Sequence, residues 1–231
     1  MTAGNNRAFK SEKSAFLHDN PLTVGFLLED MPDQSGIYDF DIQPRGMAAG
    51  NVLEIVGFGR RTKQPTADST RIRAFWLPWQ SKQAVFCDLD DTADYFFTSE
   101  MNGCQFRVAR TGANTLRAIH VAGDSPSSAI QVGSQWRNTQ AENLLTAPQR
   151  LLSRRLTSSA PLGATVPGAQ GVASPGSMVG YDGPHSWQNV FGFRRTHLFG
   201  GATWQFWYQT VAPAPPPATG YVATAALLCH I

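Results

Sequence analysis

Two stretches with a two-residue period, Cys104–Arg110 and Thr115–Val121, constrain this chain more than any other part of it. Alternation on both sides of a Gly-containing loop, Thr111-Gly-Ala-Asn114, reads as a β-hairpin. In the first stretch Cys104, Phe106 and Val108 share one face, and Gln105 and Arg107 share the other. In the second, Leu116, Ala118 and His120 share a face. Bringing the less polar faces together predicts the pairs Val108–Leu116, Phe106–Ala118 and Cys104–His120. The loop is then Thr111 to Ala113, with Asn114 suited to left-handed geometry. A slip of one residue would turn His120 away from Cys104 and Leu116 away from Phe106 and Val108. The apolar pattern therefore sets a thiol beside an imidazole, with Cβ atoms about 4.5–5.5 Å apart if the two are directly opposed.

A lone cysteine is usually a small core residue and a lone histidine a satisfied polar one. Three neighbours favour chemistry here. The pair shares a face, the turn Asn102-Gly103 adjoins the thiol, and the hydroxyl of Thr98 closes the aromatic run Tyr95-Phe-Phe-Thr98 upstream. Backbone N–H groups of the Asn102–Gly103 turn can meet an oxyanion, and a hydroxyl can orient the imidazole. Cys104, His120 and Thr98 are thus the candidate catalytic groups. Trp76 and Trp79, with Met101, are candidates for the wall of a cleft, with plain packing as the alternative for the two indoles.

These residues carry a family resemblance. Phe96-Phe97-Thr98, Gly103-Cys104 and His120, preceded by Phe75-Trp76-Leu77-Pro78-Trp79, resemble the Burkholderia lethal factor. More remotely they resemble the catalytic domains of cytotoxic necrotizing factors and the chemoreceptor deamidase CheD. That group shares a Cys–His glutamine deamidase site with a third oxygen-bearing group and a Leu-Ser-Gly-Cys signature, which stands here as Met101-Asn102-Gly103-Cys104. Asn102 departs from the family's Ser. The likeness is clearest from Arg73 to Asp124, reaches back to the Pro44–Gly50 turn and fades beyond Trp136. It implies a deamidase-like β-sandwich flanked by helices and a host-directed bacterial toxin that needs no cofactor. Its partner would be a host protein carrying the target Gln. The lethal factor acts on a eukaryotic translation-initiation helicase, and the necrotizing factors act on Rho-type GTPases.

Totals narrow the setting. At 231 residues the chain is long enough for one large domain, which buries roughly 70–75% of its unfolded surface without staples. A net charge of +2 is too mild to argue for nucleic acid. Three cysteines cannot form a closed disulfide set, which fits a thiol kept reduced. Cys87 and Cys229 lie among apolar residues and read as core. No stretch has the length of a membrane-spanning helix. The opening residues lack a hydrophobic secretory core, which by itself does not decide localisation; the resemblance implies synthesis in the bacterial cytoplasm without a signal peptide and delivery to the host cytosol, and the expectation is a monomer. His18, His185, His197 and His230 have no Cys/His ligand spacing around them, and no metal site is expected.

Along the chain, residues 1–21 read as a partly flexible N-terminal segment whose first ten residues fray, with one short helix near Ser11–Leu17. Residues 22–231 read as a single catalytic domain. Strands are expected at Leu22–Leu28, Ile37–Ile42, Val52–Val56, Ile72–Leu77, Gln83–Leu89, Ser186–Phe193, Thr196–Phe199, Ala202–Val211 after a Gly200-Gly201 hairpin turn, and Tyr221–Ile231. Gly57–Arg61 is a turn, and Asp88 to Asp94 reads as an acidic turn that starts a helix. Leucines over Glu142–Leu156 have helical spacing, interrupted at Pro148, with Arg150, Arg154 and Arg155 on the polar side. Residues 158–180 are a low-complexity loop, and Ala212–Thr219 a stiff proline-rich connection. Many strands, few helices and no βα alternation give an α+β, mainly β class: an antiparallel β-sandwich with flanking helices.

The expected reaction is conversion of a protein glutamine to glutamate through a Cys104 thioester. Two rivals remain at this level. One is a Cys–His protease or transamidase, although papain-like enzymes carry their His much farther downstream. The other is a non-enzymatic binding module whose contact face is the aromatic-rich Trp187–Tyr208 region.

Overall fold

The computed structural model describes residues 2–24, 31–45, 51–57, 70–101, 103–124, 133–157, 187–198, 201–214 and 218–231. Asn102, the 57–61 turn beyond Gly57, the 46–50 part of the Pro44–Gly50 turn and the 158–180 loop lie outside them.

The chain is mainly β. An eight-stranded sheet runs in the order β1 (Leu22–Val24), β3 (Leu53–Gly57), β2 (Gly36–Pro44), β4 (Ile72–Leu77), β6 (Tyr95–Thr98), β10 (Trp187–Thr196), β11 (Ala202–Pro213) and β12 (Tyr221–His230). A four-stranded sheet runs β5 (Ala84–Leu89), β8 (Leu116–Val121), β7 (Gln105–Arg110), β9 (Arg154–Thr157). The expected antiparallel sandwich is corrected in one respect: the large sheet is mixed. β1 runs parallel to β3, and β4 parallel to β6. The second case follows from connectivity. Between β4 and β6 the chain crosses to the small sheet as β5, and a strand reached through a crossover re-enters in the direction it left.

The large sheet also curls towards closure. The carbonyl of Leu22 accepts from the Trp187 indole at 2.7 Å and from Asn189 at 2.8 Å, and its N–H donates to Gln209 at 3.0 Å. Side chains of β10 and β11 thus satisfy the backbone of the far-edge strand, which would otherwise be left unpaired.

Alternating residues divide the apolar groups into layers. Phe75, Leu77, Phe96, Phe106, Val108, Leu116, Val190 and Phe206 meet between the two sheets. On the other face of the large sheet, Phe40, Ile55, Trp76, Phe97 and Phe191 pack with Phe9 and Leu17. The last two come from α1 (Thr2–Ser11) and α2 (Lys13–Asp19). The expectation of a frayed first ten residues is therefore not met: Phe9 is fully buried within ring contact of Phe16, Tyr95, Phe97 and Phe193. Behind the small sheet, Ala109, Ile119 and Val121 are covered by Trp136 and Ala141 of α3 (Gly133–Asn143).

Three local readings change. The acidic turn after Asp88 starts no helix; Asp90 accepts from the N–H and hydroxyl of Thr92, and the chain goes straight into β6. The expected 142–156 helix breaks into the end of α3, α4 (Ala147–Leu152) and β9. Pro148 sits in the first turn of α4, where its missing N–H has no partner to lose. Finally, the proline-rich connection is a hairpin end: β11 runs to Pro213, Ala214 N–H bonds Gly220 O at 2.9 Å, and β12 pairs back along β11. Among the described residues no helix is long and apolar enough to cross a membrane.

Candidate functional site

The β7–β8 hairpin forms, in a register two residues from the expected one. Phe106 lies opposite His120 and Val108 opposite Ala118, and the connection is Thr111 to Thr115. Thr115 stays in the loop because its carbonyl accepts from the N–H groups of both Thr111 and Gly112. A shift of two leaves every side chain on its face. Cys104 and His120 therefore share the side that looks toward the large sheet, but as diagonal neighbours, a relation in which residues are about 7–8 Å apart and their Cβ atoms somewhat closer.

The third group comes from the opposing sheet. Thr98 ends β6, paired beside Leu77 of β4, and its Oγ1 lies 2.9 Å from His120 Nδ1. His120 Nε2 is buried and has no hydrogen-bond partner among the described residues. Burial pushes the His120 pKa down to about 3, because the cation would lose its hydration there. The imidazole is thus neutral at physiological pH. If Nδ1 carries the proton and donates to Thr98, the lone pair of Nε2 is left as the basic position.

Cys104 is held from both directions. Met101 exchanges backbone hydrogen bonds of 2.8 and 3.0 Å with Gln188 of β10, which ties the turn to the large sheet. Gly103 then has φ +81°, a left-handed conformation natural to glycine. From Gln105 onward the chain is in the β7 ladder. The contribution of Gln188 has no signal in the sequence, since it depends on a strand more than eighty residues downstream.

The candidate wall residues divide. Trp76 does not wall this site: neighbouring residues of a strand point to opposite faces, and Trp76 is on the side away from Leu77 and Thr98. It is buried against Phe40, with its indole N–H on Pro32 O at 2.8 Å. Trp79 packs half-buried on the core that contains Cys104, and Met101 is fully buried in that core. Cys87 and Cys229 are core thiols whose pKa values burial pushes up to about 12. The aromatic contact face considered for a binding module is largely interior: Phe191, Phe193, Trp204, Phe206 and Tyr208 are all buried.

The architecture occurs among solved structures. The C-terminal domain of CNFy from Yersinia pseudotuberculosis matches with a TM-score of 0.50 and 10% identity over 97% of each chain. The chain shares the fold of that domain. At that identity the likeness is one of fold, and it does not favour the lethal factor over other members of the group. No family model and no curated relative matches the sequence.

The site is closed. Cys104 is 3% exposed, His120 1% and Thr98 0%. Among the described residues no three His, Cys, Asp or Glu side chains gather as a metal site.

Proposed function

We propose that this chain is a protein-glutamine deamidase of the toxin type, with Cys104 as nucleophile, His120 as proton carrier and Thr98 as the group that orients the ring. The observation that carries the reading is the Thr98–His120 contact across two sheets, with Cys104 on the same face of the hairpin. A buried hydroxyl–imidazole bond at the end of an apolar core adds little to packing. It does fix the orientation of the ring, as nucleophilic catalysis requires. The CNFy fold agrees with the sequence resemblance to the catalytic domains of cytotoxic necrotizing factors.

The chemistry follows from the groups. Neutral His120 accepts the thiol proton as the sulfur attacks the carboxamide carbon of a glutamine. The carbonyl oxygen becomes an oxyanion facing backbone N–H groups of the 102–104 turn. Collapse breaks the C–N bond, and His120 returns the proton to the departing ammonia. Water, deprotonated by the same ring, then cleaves the thioester to give glutamate and the free thiol. A hydroxyl at Nδ1 cannot stabilise an imidazolium as a carboxylate would, so short-lived protonation of His120 suits the site better than a resting ion pair. The proposed substrate is a host protein, a translation-initiation helicase or a Rho-type GTPase by resemblance, met in the host cytosol. The test is Gln-to-Glu conversion in a eukaryotic lysate, measured by mass spectrometry, with Cys104→Ser as control.

Burial of the three groups favours one second reading, a non-enzymatic module in which they are core. That reading expects Cys104 to react with iodoacetamide no faster than an ordinary thiol. An amine added to the deamidation assay separates hydrolysis from transamidation.

A further inference from the structure

Gly123 lies just past β8, three residues beyond His120. The hairpin pairs Phe106 with His120 and Gln105 with Val121. Continuing that register past the last ladder pair sets Gly103 opposite Gly123, and there the two backbones touch. A Cβ added at Gly123 would lie 2.8 Å from the carbonyl carbon of Gly103, 2.9 Å from its oxygen and 3.2 Å from its Cα. Gly123 is not among the residues with positive φ, so glycine is required there for space and not for backbone conformation.

Neither side of this contact can easily withdraw. On one side Met101 is bonded in both directions to Gln188, and Gln105 is in the β7 ladder. On the other, Ala122 N–H donates to Gln83 O at 3.0 Å, and Arg137 Nη1 donates to Gly123 O at 3.4 Å. The group that a side chain at 123 would strike is the carbonyl half of the Gly103–Cys104 peptide. The other half of that rigid plane is the Cys104 N–H.

We infer that Gly123 is a positioning residue for the oxyanion: its missing side chain lets the Gly103–Cys104 peptide sit with the Cys104 N–H toward the developing charge. The inference rests on the reading of Cys104 as nucleophile. Oxyanion stabilisation depends on donors held 2.7–3.1 Å from the charged oxygen, so a tilt of a few tenths of an ångström registers in rate. The reactivity of the sulfur itself does not depend on that donor.

The experiment compares two reactions of Cys104 in the full chain. Acylation by p-nitrophenyl acetate passes through an oxyanion: sulfur bonds to the acetyl carbon, p-nitrophenolate leaves with the electron pair, and the thiol proton passes by way of His120 to solvent. Alkylation by iodoacetamide expels iodide and forms no oxyanion. In Gly123→Ala, acylation should fall roughly 10- to 100-fold, while alkylation stays within about twofold of wild type. Gly192→Ala is the control. Its Cβ would meet Phe96 Cβ at 2.9 Å and Phe206 Cε1 at 3.0 Å, a comparable clash remote from that peptide. It should lower stability and leave the ratio of the two rates unchanged. Should Gly123→Ala not fold, Arg137→Lys, which loosens the grip on the Gly123 carbonyl, should skew the ratio in the same direction. Any other pattern in the folded variant overturns the inference while Cys104 remains the nucleophile. A wild type that acylates no faster than Cys104→Ala instead removes the reading beneath it, and the inference with it.

Discussion

Thr98 Oγ1 and His120 Nδ1 lie 2.9 Å apart although one residue belongs to the eight-stranded sheet and the other to the four-stranded one. The bond couples the relative placement of the sheets to the orientation of the ring. Thr98→Val keeps the shape, removes the hydroxyl and leaves a buried ring nitrogen unpaired. A loss of about 1–3 kcal/mol in urea unfolding is expected, with Thr98→Ser close to wild type.

The same bond ranks the catalytic variants. Cys104→Ala removes the nucleophile and should lower glutamine conversion roughly 10,000-fold or more. Thr98→Ala removes only an orienting hydroxyl, and the expected loss is about 10- to 100-fold, below that of His120→Ala. Initial rates with one peptide substrate check the order. Equal losses for Thr98→Ala and Cys104→Ala would contradict it.

His120, buried, and Glu100, half-buried, shape stability against pH in opposite directions. The folded pKa of His120 is pushed down to about 3, from an ordinary value of 6.5. Between those values the unfolded state binds the extra proton, so stability falls as pH falls, by at most about 1.4 kcal/mol per unit. Burial pushes Glu100 up to about 8 from 4.5, opposed by Arg45 and assisted by Glu54. There the folded state binds the extra proton, and stability falls as pH rises from 4.5 to 8. The two slopes offset each other between 4.5 and 6.5, so these groups give a plateau with a loss on either side. Glu100→Gln should flatten the alkaline limb and leave the acid limb, as read by melting temperature across a pH series.

The N-terminal helix is part of the core. Phe9 is 0% exposed and touches rings from β6 and β10. Phe9→Ala should lower unfolding free energy by about 3–5 kcal/mol. A change below 1 kcal/mol would show that α1 does not contribute to the cooperative unit.

What was legible in the sequence was local and periodic. Cys104 to Val121 alternate strictly enough to give both strands of the hairpin and the shared face of Cys104 and His120. The register was off by two because face parity cannot tell one even shift from another; Thr115 decided it by closing the loop with its carbonyl. Sequence leaves Trp76 open between cleft wall and packing because an indole in a strand reads the same whichever face it takes, and the structure places it in packing. The mixed large sheet was hidden because the crossover of β5 to the other sheet is tertiary. α1 was missed because its single deeply buried apolar anchor, Phe9, leaves no amphipathic stripe to read. The Gly103–Gly123 contact is likewise set by packing between strand ends, with no pattern in the chain to announce it.

The central claim is that Cys104 attacks glutamine carboxamides, and product mass spectrometry tests it most directly. A eukaryotic lysate is incubated with wild type or with Cys104→Ser, and glutamine residues are scanned for conversion to glutamate. The account predicts at least one host protein converted by wild type and unchanged by Cys104→Ser. Equal conversion by both proteins, or none by either, would contradict it.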